Sequence, residues 1–69
     1  MPAGAALTPR EVECLGWLAK GLRSDGIAER LGVARITVDT HLSNARRKLG
    51  ARTREQTLVL AIRNGLIDP

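Results

Sequence analysis

Residues 24–49, SDGIAERLGVARITVDTHLSNARRKL, decide how this chain folds. Behind the Ser24-Asp25 opening, Ile27, Ala28 and Leu31 recur at helical spacing and predict a short helix over 24–31. Gly32 supplies the left-handed stop that commonly closes such a helix. A longer helix is predicted over 35–49, ended by Gly50. At about 100° per residue, Val38, Leu42, Ala45 and Leu49 fall on one narrow stripe that must face a core. Opposite that stripe stand Ile36, Thr40, Ser43 and Arg47, flanked by Asp39, Asn44 and Arg46.

A short helix, a glycine turn of about three residues and a longer helix make the helix-turn-helix arrangement. In that arrangement the second helix enters the major groove of duplex DNA while the first braces it across the backbone. Hydroxyls, an amide and guanidinium groups on the outer turns suit base edges and phosphates. Any surface helix is polar on one side, so polarity alone decides nothing; its coincidence with the glycine turn and the bracing helix does. Charge adds to this. Eleven Lys and Arg against seven Asp and Glu give a net +4, a modest bias toward polyanions. Its distribution says more: His41 to Arg54 holds Arg46, Arg47, Lys48, Arg52 and Arg54 with no acid.

Working outward, Thr8-Pro9-Arg10-Glu11 reads as a capping box with proline at the first helical position. Val12, Leu15, Leu18 and Ala19 follow at helical spacing, with Cys14 at the margin, and predict a first helix over 9–20 that Gly21 ends. Thr53-Arg54-Glu55-Gln56 is a second capping box and opens a fourth helix over 53–64. There Leu58, Val59, Leu60, Ala61 and Ile62 are consecutive and surround the helix axis, whereas a surface helix of a small domain is amphipathic. Leu58, Ala61 and Ile62 are assigned to the core. Val59 and Leu60, with Arg63, are left for a second copy of the chain, the competing cover being the tail Leu66-Ile67. Residues 1–6 read as a flexible lead-in and 7–69 as one all-α, four-helix domain.

Composition narrows the function. Sixty-nine residues bury only about 60% of their unfolded surface, so the core must be economical. Phe and Tyr are absent and Trp17 is the sole aromatic, which favours aliphatic helix packing over short strands. One Cys and one His allow neither an internal disulfide nor a Cys- or His-rich zinc site. No cofactor or metal is expected. Glu11 and Glu13 diverge on a helix, and His41 has no triad partners, so no catalytic constellation is present and the chain is not read as an enzyme. With no apolar run near 18 residues and no signal peptide, a membrane partner is excluded and a reducing, cytoplasmic compartment is expected.

The stretch from Leu7 to Ile67 resembles the LuxR-type (GerE-type) DNA-binding domain. The resemblance rests on Leu7-Thr8-Pro9-Arg10-Glu11, Gly21, Ile27-Ala28, Leu31-Gly32-Val33, Thr37-Val38, His41, Asn44, Arg47-Lys48-Leu49-Gly50 and Gly65-Leu66-Ile67. Trp17 and Arg54-Glu55-Gln56 are similar to its quorum-sensing branch, and many relatives carry an N-terminal sensor or receiver domain. The resemblance implies a transcription regulator whose fourth helix pairs two copies on a two-fold-related site. Double-stranded DNA and a second copy are the implied partners, with RNA polymerase a further candidate. Carried over by position, Asp39, Thr40 and Ser43 read bases, while Ser24, Thr37, Arg47 and Lys48 hold phosphates. Arg35, Asn44 and Arg46 join the phosphate candidates from the flanks of the same helix. Ile36, on the outward face, is either a neighbour for a thymine methyl or merely exposed.

Two departures stand out. Many family members carry Lys or Arg where this chain has Asp39 and Ser43; an aspartate accepts from cytosine N4 but repels phosphate, which predicts weaker intrinsic affinity and a distinct preference. Helix starts also differ: Arg23 and Ala34 stand where capping Ser or Thr is common, and Gly26 lies inside the second helix. A missing cap costs about 0.5–2 kcal/mol and an internal glycine up to about 1 kcal/mol, so the second helix is expected to be the least stable. A different class of function, a protein-interaction module working through the fourth helix, would follow if Asp39 had ended DNA binding.

Overall fold

The computed structural model describes residues 6–69. Among them are four helices and no strand: α1 (Pro9–Ala19), α2 (Ser24–Leu31), α3 (Arg35–Lys48) and α4 (Arg54–Arg63). The sequence-derived boundaries differ by a residue at the ends of α1, α3 and α4, because Lys20, Leu49 and Asn64 cap rather than continue their helices. The expected lead-in falls outside the described residues except for Ala6, which is exposed.

Local chemistry sets each start. At α1 the Thr8 hydroxyl accepts from the Glu11 N–H and the Glu11 carboxylate accepts from the Thr8 N–H, the reciprocal box that satisfies two otherwise orphaned donors. At α4 only half of that box forms. Thr53 Oγ1 accepts from the Gln56 N–H, but the Gln56 side chain reaches one residue further back and accepts from the Arg52 N–H at 2.7 Å. Neither α2 nor α3 has a side-chain cap, as Arg23 and Ala34 imply. The turn between them is Gly32-Val33-Ala34. Gly32 takes φ +67°, a conformation an L side chain resists by about 1–2 kcal/mol, and Val33 N–H closes the turn onto the Ala28 carbonyl.

The core is small and aliphatic. Cys14 and Leu15 from α1, Ile27 and Ala28 from α2, Val38, Leu42 and Ala45 from α3, Ala61 from α4 and Ile67 from the tail form one buried cluster. Alanines at three of these nine positions let the backbones approach closely, so a core without Phe or Tyr still packs without large side chains. The α3 stripe behaves as its periodicity requires, with Leu49 half-buried at the margin. Cys14 is more central than its place in the sequence pattern suggests, being fully buried. Trp17 stays at the edge, where the Arg30 guanidinium lies 4.7 Å from its ring centre and fastens α2 onto α1 by a cation–π contact.

Candidate nucleic-acid interface

Because Val38, Leu42 and Ala45 point inward, the opposite side of α3 is turned to solvent along its length. Ile36, Thr40, Ser43 and Arg47 are exposed, and Asp39 and Asn44 are half-exposed beside them. These six side chains line one continuous open concavity. Ile36 is the most exposed large apolar side chain at 74%, although its helix buries three aliphatic residues on the other side. The Thr40 hydroxyl donates back to the Ile36 carbonyl at 2.9 Å, which turns the threonine methyl outward beside Ile36. Arg47 is hydrogen-bonded to the Asn44 side-chain oxygen, so its guanidinium is steadied along the helix while remaining exposed.

The remaining sequence candidates are less free. Ser24 is buried, and its hydroxyl donates to Asp39 Oδ1 at 2.6 Å and accepts from Arg54 Nη1 at 3.1 Å. Lys48 is half-buried and bridges the Glu11 carboxylate at 2.8 and 3.1 Å, joining the end of α3 to the start of α1. Arg46 donates to the Ala51 carbonyl at 2.9 Å and closes the α3–α4 connection. The polar groups of these three residues are therefore committed to the protein's own framework. Thr37 is half-buried, while Arg35 is exposed with its Nε 3.8 Å from Asp39 Oδ2.

Asp39 is the electrostatic centre of this face. Its carboxyl is held below the usual carboxylate range, first by the Ser24 hydrogen bond and then by Arg54 and Arg35, against a smaller opposing effect of desolvation. The charge that sequence alone marked as a liability beside phosphate is thus met by two guanidinium groups. Glu11 also ends below its ordinary value: burial raises it, but the Lys48 and Thr8 hydrogen bonds and the Lys48 charge together outweigh that. Among the described residues, no group of three or more His, Cys, Asp or Glu could hold a metal ion. No helix is long and apolar enough to cross a membrane.

Residues 5–61 match the family model described as bacterial regulatory proteins, luxR family. The chain is 48% identical over 62 residues to the quorum sensing-dependent regulator VjbR of Brucella abortus, covering 90% of this chain and 24% of VjbR. Its backbone superposes on the transcription factor GerE with a TM-score of 0.87 at 32% identity, over 90% of this chain and 92% of GerE. The chain belongs to the luxR family. The Vibrio cholerae VqmA dimer, a LuxR-type receptor, matches with a TM-score of 0.85 and 33% identity over 94% of this chain and 30% of that one. Against VjbR and VqmA the chain therefore spans about a quarter to a third of the relative's length.

As a luxR-family helix-turn-helix unit it is a domain of transcriptional regulation, and the family's members are regulators rather than enzymes. Within that frame α2 and α3 are the helix-turn-helix pair. Arg54 is the site residue that sequence reasoning missed. It was read only as a member of a basic cluster and of a capping box, yet it reaches from the first turn of α4 to both Ser24 and Asp39. No periodicity signal could expose a contact between residues 15 and 30 positions apart on three different helices.

Proposed function

We propose that this luxR-family domain binds double-stranded DNA sequence-specifically, with α3 in the major groove. The observation that carries the reading is the single concave strip formed by Ile36, Asp39, Thr40, Ser43, Asn44 and Arg47 on a helix whose other side is core. Thr40 and Ser43 offer hydroxyls to base edges, and Ile36 offers an apolar surface suited to a thymine methyl. Arg47, Asn44, Arg35 and Thr37 lie along the flanks, where backbone phosphates run. The VqmA relative is described as a dimer with a target DNA, which supports the same partners for this chain.

Pairing through α4 is the second part of the reading. Val59 is 51% exposed and Leu60 lies outside the core cluster, whereas the tail that could have covered them sends Ile67 into the core instead. A second copy covering Val59 and Leu60, with Arg63 at the rim, would place two α3 helices on a two-fold-related site.

Selection of bound sequences from a random duplex pool tests both parts. A recovered motif with two inverted halves is expected. Arg47→Ala should weaken binding to every recovered sequence, while Ser43→Ala or Ile36→Ala should change which base is preferred at one position per half. Undiminished duplex binding by Arg47→Ala would show that another face meets DNA. The rival reading, a protein-interaction module, predicts self-association with no duplex affinity at low salt. The pairing of Asp39 with Arg35 and Arg54 removes its main support.

A further inference from the structure

The acidic residue in the middle of the α3 face has a geometry at odds with base reading. Asp39 Oδ1 is occupied twice, by the Ser24 hydroxyl at 2.6 Å and by Arg54 Nη2 at 3.2 Å, and Arg35 Nε lies 3.8 Å from Oδ2. Arg54 closes the ring by donating from Nη1 to Ser24 Oγ at 3.1 Å. Ser24 is only 5% exposed. Were Asp39 to swing toward a base, a buried hydroxyl would lose its acceptor and a guanidinium would lose its counter-charge, which is unfavourable on both counts. The ring ties the first turns of α2 and α4 to the second turn of α3.

Arg54 is left with capacity to spare. A guanidinium carries five N–H donors; the two contacts above use one from each terminal nitrogen, which leaves three. Its side chain is 44% exposed. It shares a surface hollow with Arg23, Ser24 and Arg35, so three guanidinium groups converge beside the start of α3, the end of that helix nearest the proposed groove. Asp25 is the one acid in that hollow, and its carboxylate accepts from the Gly26 N–H.

We propose that Asp39 is a positioning residue, not a base reader: with the Ser24 hydroxyl it holds the Arg54 guanidinium at the rim of the α3 face, where Arg54 contacts a backbone phosphate. The surface that meets DNA then includes the first turn of α4, which neither helix of the helix-turn-helix supplies. Asp39 orients a cation that would otherwise sweep through solvent, so its negative charge serves affinity instead of opposing it. This inference rests on the DNA-binding reading above.

The test is the salt dependence of Kd on a duplex recovered by selection, for wild type, Arg54→Ala, Arg54→Lys, Asp39→Ala, Asp39→Asn and the Arg54→Ala/Asp39→Ala double variant, each checked for helicity. One lost phosphate contact per domain removes about 0.9 from the log–log salt slope, so the ratio of variant to wild-type Kd should change about 3.5-fold between about 50 and 200 mM salt. Arg54→Ala should show that loss with an unchanged selected motif. Arg54→Lys, which keeps the charge, should restore most of the slope. Asp39→Ala and Asp39→Asn should both lower the slope, and the double variant should lose no more than Arg54→Ala alone. The inference is overturned if Asp39→Ala alters the preferred base while keeping the wild-type slope. It is equally overturned if Asp39→Ala tightens binding, or if Arg54→Ala leaves the slope unchanged. A wild-type domain that binds no duplex at low salt would instead defeat the DNA-binding reading, and this inference with it.

Discussion

Lys48 lies one residue beyond Arg47 on α3, yet the two cations do different jobs. The Lys48 ammonium reaches a carboxylate whose side chain is only 3% exposed, and both Glu11 oxygens are within hydrogen-bond range of it. A Lys48→Met substitution keeps the aliphatic stem and removes the charge, leaving Glu11 buried without its cation. Charge-assisted hydrogen bonds of this kind are worth about 1.5–3 kcal/mol, and the loss should register in urea denaturation at neutral pH. The duplex salt slope of Lys48→Met should match wild type; a reduced slope would return Lys48 to the phosphate-contacting set. Cys14 gives a second residue-level expectation. Burial raises its thiol pKa, with Glu13 and Glu11 adding to that and Arg10 opposing it, so little thiolate is present and access is closed. Labelling by a disulfide reagent at neutral pH should be on the order of 100-fold slower in the folded domain than in urea, since it waits on opening of the core. Comparable rates in both would mean that α1 does not cover the thiol.

At the level of elements, the weakest helix can be strengthened without touching the proposed interface. Gly26 lies inside α2 with ordinary helical geometry, and a methyl added there would meet Leu22 carbons at 3.7–3.8 Å, normal van der Waals contact. Gly26→Ala should therefore stabilise by about 0.5–1 kcal/mol. Ala34 holds an extended N-cap backbone with no side-chain cap, so Ala34→Ser should add roughly 1 kcal/mol. The pair should raise Tm by about 6–16 °C for a domain of this size, measured by circular dichroism. No increase from Gly26→Ala would mean that α2 is not limiting. These elements were legible in the sequence because their signals are local: Thr8 and Glu11 are three residues apart, Gly32 directly follows its helix, and the α3 stripe repeats every three or four residues. What was not legible joins distant residues. Glu11–Lys48 spans 37 positions and Arg54–Ser24 spans 30, so their pairing exists only once helices cross. The same limit explains the candidates Ser24 and Lys48, whose residue types suit phosphate but whose surroundings turn them inward.

On the scale of the whole molecule, the two engaged carboxylates make the fold sensitive to acid in a direction that can be derived. Glu11 and Asp39 both lie below their ordinary values in the folded chain. Over the pH range between the folded and unfolded values, the unfolded chain binds more protons, so stability rises with pH there and is fully present above the unfolded carboxylate range. Stability should thus hold level from neutrality down to about pH 5 and fall progressively below about pH 4, as pH drops through the lowered folded values. Glu11 ties α1 to α3 and Asp39 ties α3 to α2 and α4; protonating both loosens every helix of a domain with a nine-residue buried cluster. Lys48→Met separates the two contributions. Without the ammonium, burial becomes the dominant influence on Glu11 and pushes its folded pKa upward, reversing the sign of its contribution. The variant should then be less stable than wild type at pH 7, and the gap should narrow as pH falls to 3, because protonated Glu11 no longer needs a cation. Denaturation midpoints in urea at half-unit pH steps would show this convergence. Two parallel curves would mean that the ion pair between α1 and α3 does not govern the acid limb.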